Sequence, residues 1–349
     1  MTKVTHTLVL LASFIVLATS CNKKTNTFIA AAGSPGEMLL VMDGDWLKGL
    51  EGELVKAMLQ EEVPGLPQVE HWMRVQTVAE ADFGDFLRNT RNILIVKANE
   101  DTYTHNSVKY SYNEWAQGQL LIVVQTPNAD SLKALVANDG DKIRHLLLRH
   151  ELFRYAEVWS GEFSTKADEY CQEVLGCHVN MPQDMLSYKK GKDFLWMSNN
   201  SDKKRSDIVI YSLPYRGKED LSLEVMHARR DSVLGSNIPG ATPDSKMTTV
   251  PEGLIHQYLQ MPDGSYRGVL RGLWETSGKS AMAGPFVMHA IARPEEGKVY
   301  YIEGFVYYPN ENKRDLVRRL EAALFSLRPL SQETFDPAPI KQIWWSDVH

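Results

Sequence analysis

A chain of 349 residues with 43% apolar and 23% charged residues has the material for one large or two medium globular domains. Its net charge of -6 gives no overall pull toward nucleic acid or an anionic membrane surface. The basic clusters Lys203-Lys204-Arg205 and Arg229-Arg230 are short and read as solvated faces, so neither nucleic acid nor nucleotide is expected as a partner.

At the N-terminus, Lys3 precedes the apolar run Leu8 to Ala18, which is well short of the ~20 residues of a spanning helix. Thr19 and Ser20 then lead into Cys21. This layout reads as a secretory signal over residues 1–20 and resembles a bacterial lipoprotein signal, in which the cysteine becomes the lipidated first residue. The bland alternative is an ordinary cleaved signal with a cysteine nearby. Acyl chains on Cys21 would hold the protein at a membrane without a transmembrane helix, at ~0.8 kcal/mol per buried CH₂. Residues 21–35 form a polar tether without an acidic run, so the expected place is the outer membrane, lipid-anchored and facing the periplasm.

The first half, residues 36–160, reads as β-α-β-α-β-β-α. Gly36 to Asp43 is a buried strand, and Trp46 to Gln60 one helix with Leu47, Leu50, Leu54, Ala57 and Met58 on its apolar stripe. Pro64-Gly65-Leu66-Pro67 stops it. A strand over "EHWMRVQTV" and a short helix Ala79 to Arg88, with Phe83, Phe86 and Leu87 inward, come next. "RNILIVKA" and "GQLLIVVQT" are β runs rich in branched residues, separated by a polar loop from Asp101 to Tyr112. Ala129 to Trp159 reads as helical with an interruption at Asn138-Asp139-Gly140.

The second half, residues 161–330, opens on a helix from Thr165 to Leu175, and Gly176 suits the left-handed position past its end. That motif brings Cys177 close to Cys171, as a disulfide or as two packed thiols. His178 adds a third soft ligand, but the spacing fits no common zinc pattern, so no metal is expected. Strands at Phe194 to Met197 and Ile208 to Tyr211 flank a polar turn, and Leu221 to Leu234 is ambiguous. Two hairpins turn at Pro262-Asp263-Gly264 and Pro294 to Gly297. A final amphipathic helix, about Lys313 to Leu327, should cover one face of the sheet, with Asp315 and Arg319 as an exposed pair. In the tail, 331–349, Ile343-Trp344-Trp345 either docks as a strand or forms an apolar handle. The fold class is therefore α+β: two α/β sandwich-like halves, the second with a mainly antiparallel sheet of hairpins under a C-terminal helix.

The candidate chemistry is sparse. Gly278-Lys279-Ser280 resembles a P-loop ending, but Gly272 misses the required first glycine by one position and no helix follows. On a strand from Tyr266 to Glu275, Gly268, Leu270, Gly272 and Trp274 share one face, and Arg267, Val269, Arg271, Leu273 and Glu275 the other. The two glycines let a helix or ring approach the sheet closely. The opposite face is either an exposed face with cross-strand ion pairs or, with Arg271 and Glu275, the lining of a groove. "HELFR" at 150–154 has Arg154 where a zinc protease needs its second histidine. A four-residue turn at Pro294 pairs His289 with Ile302 and Glu303 with Met288, which points His289 and Glu303 to opposite faces.

"IPGATPDSKMTT", "RGLWETSG", "AGPFVMHA" and "NKRDLVRRLEAALFSL" resemble an uncharacterised Bacteroidetes lipoprotein family, domain of unknown function 4837. "SPGEMLLVMDGDW" and "PGLPQVEHWM" fit it as well. The resemblance implies an envelope lipoprotein and brings no activity, cofactor or catalytic residue. The favoured expectation is a non-enzymatic binder of a ligand, an envelope protein or a glycan, through a groove at Arg271, Trp274, Glu275, Pro285 and Phe286. The alternative is an envelope hydrolase of glycan or peptidoglycan that uses Asp43, Glu275 and Glu303.

Overall fold

The computed structural model describes residues 29–240, 242, 244–278 and 282–346. The signal segment, Cys21, Lys279 and Ser280 lie outside the described residues. The first sheet comes from β1 (Glu37–Met42), β2 (Arg74–Ala79), β3 (Asn92–Ala98), β4 (Ser107–Tyr112) and β5 (Leu120–Thr126), in the order β2-β1-β3-β5-β4. β2, β1, β3 and β5 are parallel, and β4 pairs antiparallel at the edge. One face carries Met38, Leu40, Met42, Leu94, Val96 and Ile122 under helices α1 (Gly44–Lys48), α2 (Leu50–Leu59) and α3 (Ala129–Gly161). On the other face, Phe83, Leu87 and Trp115 pack over Val41, Ile93 and Ile95.

After α3, the chain forms α4 (Thr165–Leu175), β6 (Cys177–His178), β7 (Ser187–Gly191), β8 (Phe194–Ser198), β9 (Arg205–Pro214) and α5 (Leu223–Asn237). It continues through β10 (Met247–Thr249), β11 (Ile255–Gln260), β12 (Tyr266–Thr276), β13 (Ala283–Arg293), β14 (Lys298–Tyr307), α6 (Arg314–Leu324), β15 (Arg328–Pro329) and β16 (Trp344–Ser346). The second sheet is antiparallel, in the order β16-β11-β12-β13-β14-β9-β8-β7, with β10 beside the end of β12. α4, α6 and the C-terminal part of α3 cover one face through Leu152, Cys171 and Leu320; α5 covers the other through Met226 and Leu234. The protein is α+β, with its large antiparallel sheet covered by the C-terminal helix as the sequence predicts.

α3 joins the halves. At 33 residues it is about 50 Å long. Leu132, Leu135, Ile143 and Leu146 enter the first core, and Leu148, Leu152, Ala156 and Trp159 the second. The predicted interruption at Asn138-Asp139-Gly140 is absent. Gly140 is buried at the crossing with α2, where a Cβ would lie 3.1 Å from Met58, and this tertiary contact overrides glycine's poor helix propensity. Glu151, the acid of "HELFR", fastens α3 to the first sheet. It accepts from Arg91 Nε and Nη2 (2.8 and 2.9 Å), Asn92 Nδ2 (2.9 Å) and Gly36 N (3.0 Å). Burial raises its pKa, but Arg91 outweighs burial and holds the carboxyl at about 2.

Several local expectations are corrected. The Trp46 to Gln60 helix divides at Gly49, whose backbone is extended; the phase resets, so Val55, Met58 and Leu59 face the core while Leu50 is 85% exposed. Ala79 to Arg88 holds two short 3-10 turns instead of a helix, and Phe86 is 89% exposed. The supposed loop before Tyr112 contains β4, because a sheet edge pairs backbone whatever the polarity of the side chains. Arg319 bonds Asp184 (2.7 Å), while Asp315 takes Arg74 and Arg314, since α6 packs between neighbours that supply nearer partners. The ambiguous Leu221 to Leu234 is mostly α5.

Candidate functional site

α6 lies on β14 at Gly304, where a Cβ would come within 2.7 Å of Leu320 Cβ. This close seating draws the N-terminal turn of α6 against the first half. Glu70 accepts from the backbone N–H groups of Lys313 (2.6 Å) and Arg314 (3.1 Å), a carboxylate at a helix N-terminus. Arg314 donates to the His71 carbonyl (2.6 Å), and Arg74 meets Asp315 (3.2 Å).

Between these contacts and the edge of the large sheet is a cleft of about 140 Å³. The turn Val63 to Leu66 forms its lip. Gly65 has φ +79 and a virtual Cβ 3.6 Å from Arg271 Cβ, so the loop lies directly on β12. The aromatic wall is Trp72, His145 and Trp345: the His145 ring is 4.9 Å from Trp345 and 6.5 Å, edge-on, from Trp72. Leu148, Ile255 and Val317 complete the apolar lining. Burial lowers the pKa of His145, which keeps the ring neutral near pH 7.

The charged lining is three arginines against a single carboxylate. Arg271 grips Glu321 through two bonds (2.9 and 2.5 Å), and His289 Nε2 stands 3.5 Å from the same carboxylate. Burial acts to raise the pKa of Glu321, but Arg271 and His289 together hold it at about 2. Arg314 is neutralised by Asp315. Arg318 differs: it is 4% exposed, donates Nη2 to the Trp72 carbonyl (3.1 Å), and has no partner for Nη1 among the described residues. Burial lowers its pKa to about 10, with Arg314 adding to the effect.

The profile of the domain of unknown function DUF4837 matches residues 164–326. The C-terminal half of the chain is a DUF4837 domain. Residues 31–160 match a second domain of unknown function, DUF8532, so the cleft lies where the two matched regions meet. The curated proteins contain no match. Among solved structures, an uncharacterized protein from Rhizobium leguminosarum overlays at TM-score 0.15 and 13% identity, covering 35% of this chain and 91% of its own. The human StarD13 lipid transfer and protein localization domain overlays at TM-score 0.19 and 6% identity, covering 46% of this chain and 95% of its own. Neither overlay carries an argument about this chain.

Within the DUF4837 half, β12 presents the two faces expected of it. A Cβ on Gly268 would meet the Leu221 carbonyl at 2.7 Å, the close approach for which a glycine was expected. The predicted groove is divided by those same faces. Arg271, Pro285 and Phe286 line the cleft, although the Phe286 ring also serves the opposite core, 3.9 Å beneath the Arg230 guanidinium. Trp274 does not belong: it is buried on the α5 side, with Nε1 donating to the Val306 carbonyl (3.3 Å). Glu275 is exposed, between Thr248 and Ala283. The odd–even alternation of one strand cannot put 271 and 274 on the same surface.

Met288 pairs with Glu303 and His289 with Ile302, as predicted, so these two side chains occupy opposite faces. Asp43, Glu275 and Glu303 are not brought together. Asp43 caps α1, Glu275 is exposed on β12, and Glu303 is sealed against Arg230 (2.7 and 2.8 Å). Gly278, two residues past the end of β12, has φ +104, and β13 begins at Ala283. Cys171 and Cys177 are buried free thiols, and burial pushes the Cys177 pKa up to about 12. Among the described residues, no group of three or more His, Cys, Asp or Glu could hold a metal, and no helix is long and apolar enough to cross a membrane.

Trp72, His145, Arg318 and Glu321 were not expected at the cleft, and Trp345 was expected only within a docking strand or an apolar handle, of which the structure shows the strand, β16 beside β11. One signal was present: Arg314, Arg318 and Glu321 lie four and three residues apart, on the helix stripe that also holds Val317 and Leu320. Charges inside an apolar stripe mark either a buried ion pair or a lined cavity.

Proposed function

We propose that this chain is an envelope lipoprotein, anchored through Cys21, that binds a small ligand in the cleft between its two halves without transforming it. The observation that carries the reading is the cleft itself, whose lining is mostly apolar with a few convergent polar groups, the usual composition of a ligand site. Its walls come from the Val63 to Leu66 turn, α3, α6 and the sheet edge, so a ligand there would contact both halves at once. The anchor rests on the sequence of the signal segment. Replacing Cys21 by Ala should release the protein from the membrane fraction.

The binding reading is tested by calorimetric titration with naphthalene-2-carboxylate and its neutral carboxamide, which match the aromatic wall. At least one should bind the wild-type chain, and Ile255→Trp, which fills the cleft, should reduce that binding by tenfold or more. Binding unaffected by Ile255→Trp would move the site elsewhere.

A further inference from the structure

Arg318 has a position in the cleft that its neighbours do not account for. Arg271 and Arg314 each have a carboxylate at contact distance, Glu321 and Asp315. Among the described residues, Arg318 Nη2 donates to the Trp72 carbonyl and the guanidinium lies 5.6 Å from the centre of the Trp72 ring. Glu151, Asp315 and Glu321 act on it from farther away, and Arg314 opposes them. A guanidinium removed from water without an anion at its donors is costly, and natural interiors seldom leave one so. Arg318, which carries this unmatched donor, lines the cavity together with Trp72, Trp345, Leu148 and Val317 among others.

Resting on the binding reading above, we infer that the cleft's ligand is a compact organic acid: one anionic group received by Arg318 Nη1, on an apolar body held between Trp72 and Trp345. Three features of the lining support this class. A planar fork of N–H donors suits an oxyanion better than a neutral acceptor. Glu321 is already taken by Arg271 and His289, so it neither satisfies Arg318 nor offers a free site to a cationic ligand. A volume of about 140 Å³ suits a ring or short acyl chain with its acid group and is too small for a folded partner.

The test compares naphthalene-2-carboxylate with naphthalene-2-carboxamide on the wild-type chain and on Arg318→Met. The carboxylate should bind wild type at least tenfold more tightly than the amide, and Arg318→Met should remove that preference. Equal binding of both probes to wild type overturns the acid inference and leaves the cleft reading intact; binding of neither overturns both. A preference that survives in Arg318→Met places the anion on another residue and overturns the inference. The wild-type comparison needs no variant, so the inference stays open to refutation even if Arg318→Met does not fold.

Discussion

Two arginine–carboxylate pairs are built on the two faces of the large sheet. On the α5 face, Arg230 and Glu303 are both fully buried, and Arg230 is further bound to Thr249 (2.6 Å). On the α6 face, Arg271 also binds Glu321 through two bonds, from both Nη atoms where Arg230 uses Nε and Nη2, but the Arg271 side chain keeps 17% exposure and opens onto the cleft. Burial raises the Glu303 pKa and Arg230 offsets only part of this, whereas Arg271 and His289 bring Glu321 down to about 2. The same chemical pair serves as a sealed brace on one face and as part of a cavity wall on the other. The difference comes from what lies over it: α5 carries Arg230 onto Glu303 and leaves neither side chain exposed, whereas the first half meets the other face across a gap.

The sealed pair should be the most sensitive to disruption. Arg230→Met strands a buried carboxylate and should cost about 3–5 kcal/mol in urea unfolding. Arg271→Met leaves Glu321 beside His289 and the cleft, and should cost about 1–3 kcal/mol. Equal losses would erase the distinction between the two faces.

Acid should expose a second contrast. His289, on the cleft side, is held at about 4, and His150, buried in α3 against Tyr112, at about 3, in both cases chiefly by burial. Both folded values lie below the usual 6.5, so between these limits the unfolded chain binds more protons than the folded one. Stability is therefore fully present above pH 6.5 and lost as pH falls toward 4 and 3, by about 1.4 kcal/mol per pH unit for each histidine. His150→Phe should reduce that slope between pH 6 and 4.5 in urea unfolding; an unchanged slope would show that His150 does not contribute.

The smallest expected effect concerns His145. Burial pushes protonation of His145 to lower pH, and the proton adds a cation to the cleft, so naphthalene-2-carboxylate should bind more tightly as pH falls below 6.5, with the carboxamide unaffected. His145→Gln should flatten that dependence, and a dependence that persists would assign the proton to another group.

Local turn chemistry made much of the second half legible. The turn from Pro294 to Gly297 fixed the β13–β14 register, and Gly176 takes the left-handed conformation (φ +70) expected of it. Longer-range packing was not legible. That α3 runs through Gly140 depends on Met58, far away in sequence, and no local signal puts Trp72 beside Arg318. The residues of the candidate groove are split for the same reason: strand alternation sets Arg271 and Trp274 on opposite faces, while the partner α6 and the lip at Gly65 belong to the tertiary fold.

The most direct test of the cleft as the binding site is fluorine NMR of the chain labelled with 5-fluorotryptophan and titrated with naphthalene-2-carboxylate. Trp72 and Trp345 line the cleft, and Trp274 is sealed on the far face of the same sheet. The resonances of Trp72 and Trp345 should shift in a saturable way while that of Trp274 stays in place. A saturable shift at Trp274 with none at Trp72 and Trp345 would contradict the account.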